Sequence, residues 1–137
     1  MYNLERFYDA HKAYFDIALK EIQSGRKQSH WMWFIFPQLK SLGRSQNAIY
    51  FGIENAEEAK LFYEDEYLGE SLKKICRALL ECESNDALEV MGSPDNLKLR
   101  SSMTLFYLAT GDKLFANVLE KFYDGQQCEL TKNQIIT

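Results

Sequence analysis

The chain has 137 residues, 46% of them hydrophobic and 26% charged, with a formal net charge of −4 at pH 7. That length and mixture exclude a disordered segment and leave room for one hydrophobic core rather than two. The acidic balance, with a sequence pI near 5.2, gives no whole-molecule attraction to nucleic acid or to an anionic membrane.

Only 7 Gly and 2 Pro are present, too few for a turn-dense β architecture. The chain reads as all-α: a compact single-domain multihelical fold of five to seven helices around a central aromatic-rich helix. The domain is expected over residues 1–125. A polar C-terminal tail, 126–137, follows it with at most a short helical turn.

In chain order, the first helix spans residues 4–24. Phe7, His11, Tyr14, Phe15, Ala18, Leu19 and Ile22 recur at three and four residues, Asn3 can cap the start, and Gly25 can close the end. Residues 26–45 are basic at entry, then densely aromatic, then broken by Pro37 and Gly43. Residues 49–53 form the only plausible strand. A second helix covers 56–64, where Asn55 and Glu58 have capping-box spacing. Tyr67, Leu68 and Gly69 read as a break before an amphipathic helix that buries Leu72, Ile75, Cys76, Leu79 and Leu80.

Ser84 and Asn85 are cap candidates for a short helix closed by Gly92. Ser93, Pro94 and Asp95 then read as N-cap, N1 and first-turn acid of a helix that runs to about Thr110. Leu114, Phe115, Val118, Leu119 and Phe122 mark one more helix. Cys76, Cys82 and Cys128 show no CxxC or Cys/His ligand spacing. They are expected to be reduced thiols in a cytoplasmic protein with no metal and no cofactor. The longest apolar run, residues 31–37, is far too short to span a bilayer.

Two segments carry candidate chemistry. The first is GRKQSHWMWFIFPQ, residues 25–38, where Lys27, Ser29 and His30 meet Trp31, Trp33 and Gln38. Most of these rings read as core, with Trp33 among them. His30, with an ordinary pKa near 6.5, is the most natural acid or base in the chain. The second is GSPDNLKLRSSMTLF, residues 92–106. Here Lys98, Arg100, Ser101 and Ser102 supply donors matched to phosphate or carboxylate oxygens. Between the two lie Arg44 and Ser45.

These blocks, with LGRS at residues 42–45, resemble the signature blocks of the domain of unknown function 1810 (DUF1810) family over residues 4–123. The resemblance implies a small all-helical bacterial protein and carries no established reaction. Two positions depart from the expected pattern. Ser71 stands where an arginine is expected, and Cys128 where an aspartate is expected three residues before Thr131.

The reading that follows is a pocket for an anionic, phosphate-bearing or nucleotide-derived small molecule, and possible hydrolase chemistry is left open. Lys27, Arg44, Lys98 and Arg100 would supply charge, Ser29, Ser45, Ser101 and Ser102 hydroxyls, Gln38 an amide, and Trp31 or Trp33 a stacking face. If a reaction occurs, His30 would be its acid or base. All four cations are expected to converge beside His30. The alternative is a non-enzymatic regulatory module that docks a protein partner. Single-stranded nucleic-acid binding is disfavoured by the pI, and no membrane association is expected.

Overall fold

Burial at four- and three-residue spacing makes residues Glu5–Gln23 a single amphipathic helix, α1, with Phe7, His11, Phe15, Ala18 and Ile22 inward. Leu4 holds its N-cap position without a side-chain bond, so Asn3 is not the cap. Its C-terminal end is closed by Gly25 at φ +86°, the left-handed conformation that glycine adopts without strain. The computed structural model describes residues 2–136. Met1 and Thr137, the outer ends of the two segments expected from sequence, lie outside the described residues.

The aromatic segment forms the centre of the core, yet only Met32–Ile35, α2, are helical. Trp31, Met32, Phe34, Ile35 and Phe36 are buried, and Trp33 is half-exposed. A single helical turn between two non-helical flanks lets rings project in several directions into one core. A 3-10 turn follows at Lys40–Leu42, then α3 at Gln46–Tyr50, whose N-cap Ser45 accepts the amide of Ala48. The expected strand over 49–53 is therefore helix at its start. What remains is a single parallel bridge, Leu39 to Ile53.

Asn55 caps α4, Ala56–Glu64, by accepting the Glu58 amide at 3.0 Å, as its spacing predicts. The break before α5, Glu66–Glu81, falls at Asp65 and not at residues 67–69, because Asp65 caps the new helix through Tyr67 and Leu68. Gly69 lies inside α5. A Cβ there would sit 1.9 Å from the Tyr63 carbonyl oxygen, so glycine permits the close approach of the two helices. Asp86 caps α6, Ala87–Met91, in place of Ser84 or Asn85. Helix α7, Asp95–Thr110, begins one residue later than expected, with Pro94 at its N-cap position.

Asp112 caps α8, Lys113–Tyr123, and α9 covers Glu129–Ile136. The described residues thus hold nine α-helices, more than the five to seven expected: α3 is a single turn too short to leave a periodic pattern, and α9 lies in the stretch expected to be tail. Helix α7 is the hub: it packs on α4, α6, α8 and α9, and every residue from Ser101 to Phe106 is buried. The C-terminal tail belongs to the domain, since α9 packs on α7 and buries Cys128 and Thr131. No described helix is long and apolar enough to cross a membrane.

Candidate functional site

The loop after α1 is organised by Glu21, a residue the sequence did not single out. Its carboxylate accepts the backbone N–H groups of Gln28 (2.8 Å) and Ser29 (3.0 Å), the Ser29 hydroxyl (2.5 Å) and the Trp31 indole N–H (2.9 Å). Burial raises its pKa, but these donors outweigh burial and bring it from 4.5 to about 2. A carboxylate in the last turn of a helix opposes the helix dipole. That misplacement, four residues before a closing glycine, is the signal that would have found it.

Lys27 comes next. Its side chain is 7% exposed, and its ammonium donates to the Ser29 carbonyl at 2.6 Å and lies 2.8 Å from Asp95 and 4.9 Å from the centre of the Trp31 ring. Asp95 sits in the first turn of α7, where the helix dipole favours an acid. Lys98, one turn on, approaches the other oxygen of Asp95 at 3.9 Å. So the two signature blocks meet at Lys27, Asp95 and Lys98.

Lys98 also borders a narrow slot with Trp33 and Gln38, backed by Met32, Phe36, Ala48 and Gly52. The slot measures about 10 Å³, room for about one water-sized group. Gly52 also lines it, and a Cβ there would meet the Lys40 backbone at 2.4 Å, so the chain passes too close for any other residue. Ser102, one turn beyond Lys98, is fully buried, and its hydroxyl has no hydrogen-bond partner.

The other expected members lie elsewhere. Arg100 is two residues from Lys98, about 200° around the helix, so it faces away from the slot. Its guanidinium lies over the Tyr123 ring at 5.8 Å and borders a separate groove with residues 125–130 and Lys132. The Ser101 hydroxyl belongs to that second face and reaches Cys128 Sγ at 3.3 Å. Arg44 is exposed beside the 3-10 turn, and Ser45 acts as a helix cap. Trp31 is fully buried in the core and leaves the half-exposed Trp33 as the ring beside the slot.

His30 is exposed and, among the described residues, has no hydrogen bond or ion pair. Nothing orients its imidazole. The four cations therefore do not converge on one pocket beside His30. Lys27 and Lys98 meet at Asp95, Arg100 lies on the other face of α7, and Arg44 stands apart in a second loop.

Among the described residues no three side chains of the His, Cys, Asp or Glu type gather as a metal site. The model of a family described as "Protein of unknown function (DUF1810)" matches residues 1–135. The crystal structure of the conserved hypothetical protein Rv1873 from Mycobacterium tuberculosis is similar at 37% identity, with a TM-score of 0.95. The match covers 98% of this chain and 96% of that one. No curated protein matches.

Proposed function

Because the chain belongs to the DUF1810 family, whose description assigns no activity, we propose its function from the site: binding of a small anionic molecule at the slot between Trp33, Gln38 and Lys98. The observation that carries this reading is a charge imbalance. Asp95 is held at 2.8 Å by Lys27 and lies 3.9 Å from Lys98, so one carboxylate faces two ammonium groups. Among these three groups one positive charge is left over, and Lys98, the more loosely held of the two cations, carries it beside the slot. Unpaired cations near a low-dielectric wall are unfavourable, and an acidic group from a ligand would offset that cost.

The slot admits only a group of about one water's size. A phosphate or carboxylate oxygen would enter to reach Lys98 and the Gln38 amide. The body of the ligand would lie outside, against the half-exposed Trp33 ring. A nucleotide-derived molecule has both parts, a charge and a flat ring. The unsupported His30 imidazole gives no ground for a hydrolytic step, so the proposal is one of binding.

Calorimetric titration with inorganic phosphate and with adenosine monophosphate tests it. Lys98→Ala should weaken the nucleotide at least about tenfold, the loss of one charge-assisted hydrogen bond. Arg100→Ala and Arg44→Ala should leave binding within about twofold, since both lie away from the slot. Equal losses in Lys98→Ala and Arg100→Ala, or no binding of either probe, would refute the reading.

A further inference from the structure

Most half-buried cations in this protein have an acceptor. The Arg6 guanidinium, on a side chain 11% exposed, donates to the carbonyls of Asn3, Tyr50 and Gly52 and to Glu58. Lys27 and Lys98 share Asp95, and Lys73 lies 3.5 Å from Glu70. Lys121 donates to the carbonyls of Leu79, Leu80 and Cys82. Among the described residues, Arg100 and Lys132 are the half-buried cations whose side chains have no hydrogen bond or ion pair. Both line the same groove, bordered by α7, residues 125–128 and the start of α9.

The position of Arg100 is not a by-product of packing. Its Nε is buried without an acceptor, and a charged donor buried in that way is costly. The guanidinium is also held in place: it lies over the Tyr123 ring at 5.8 Å, and the Tyr123 hydroxyl donates to the Asn96 carbonyl at 2.5 Å. Lys132 follows Glu129 by three residues in the groove wall, yet the two form no ion pair. Two cations and one acid leave a single positive charge over. Leu130, 65% exposed, adds an apolar wall.

We propose that this groove binds the carboxylate of a small organic acid on Arg100, with Lys132 beside it and the apolar body of the acid on Leu130. The flat fork of a guanidinium gives the two oxygens of a carboxylate parallel hydrogen bonds. One carboxylate balances the charge of the groove, whereas a dianionic phosphate would leave an excess beside Glu129. The volume, about 630 Å³, is that of a small-molecule pocket. The slot at Lys98 lies on the other face of α7, so the two sites stand or fall separately.

Titration of the full chain with hexanoate, followed by nuclear magnetic resonance at the Arg100 Nε–H signal, tests the proposal. The signal should shift saturably with hexanoate and stay in place with hexanol, which lacks the charge. Arg100→Ala should weaken hexanoate at least about tenfold. Arg100→Lys keeps the charge but loses the fork, and should weaken it at least about fivefold. Lys98→Ala should leave it within about twofold. A fixed Nε–H signal, full affinity in Arg100→Lys, or inorganic phosphate moving the signal at lower concentration than hexanoate would overturn the proposal. The wild-type titration decides even if a variant fails to fold.

Discussion

The indole N–H of Trp31 donates to Glu21 at 2.9 Å, a hydrogen bond that ties the end of α1 to the first ring of the core. The same carboxylate closes the intervening loop through three further donors. Glu21→Gln keeps the shape and removes the charge, so it should cost about 1–3 kcal/mol in urea denaturation. Stability conferred by this group is complete above pH 4.5 and is lost as pH falls toward 2, because the folded pKa lies below the unfolded one. In Glu21→Gln that part of the acid limb should disappear.

The two tryptophans should separate cleanly. Trp31 is fully buried with its N–H satisfied, and Trp31→Ala should cost about 3–5 kcal/mol. Trp33 is half-exposed, and Trp33→Ala should cost less than half as much. Equal losses would mean that the ring beside the slot carries core packing.

His11 supplies a second acid-sensitive element. Fully buried, it stacks on Phe15, and its Nδ1 lies 3.2 Å from the Tyr67 hydroxyl. Burial lowers its pKa from 6.5 to about 4, against the pull of Asp65. Below pH 6.5 the unfolded imidazole takes up a proton that the folded one refuses. Stability should therefore fall as pH drops from 6.5 to about 4, by about 3 kcal/mol in total. His11→Gln should flatten this slope in thermal melts taken across that range.

Gly69→Ala offers a purely steric test. Its Cβ would sit 1.9 Å from the Tyr63 carbonyl oxygen, a backbone atom that cannot swing aside. The variant should lose about 3 kcal/mol or more, despite the better helix propensity of alanine. An unchanged denaturation midpoint would show that the α4–α5 turn can relax.

The long helices were legible because burial at three- and four-residue spacing writes itself into sequence, as in α1 and α8. The Asn55 cap was legible too, being a local bond. The aromatic segment betrayed its burial but not its shape, since a run that is apolar all round has no period to read. Convergence of the cations failed for a geometric reason: Lys98 and Arg100 are neighbours in sequence and face opposite ways on α7. Glu21 went unseen because two of its four partners are backbone amides, which no residue pattern marks. Helix α9 is hard to read from sequence because the side chains it buries most fully, Cys128 and Thr131, lie at its start, and polar residues 132–134 separate them from Ile135, which packs on the core.

The hub position of α7 bears on synthesis. Helix α4 finds its main packing surface in α7, with the Phe62 and Phe106 rings 5.5 Å apart. A nascent chain that has emerged only as far as residue 94 therefore holds α1 through α6 with no hub. Phe62 and its neighbours would meet water, or another chain, until the next sixteen residues appear. Pauses in translation over that interval, rather than mutations in the finished protein, are where aggregation of this chain would begin.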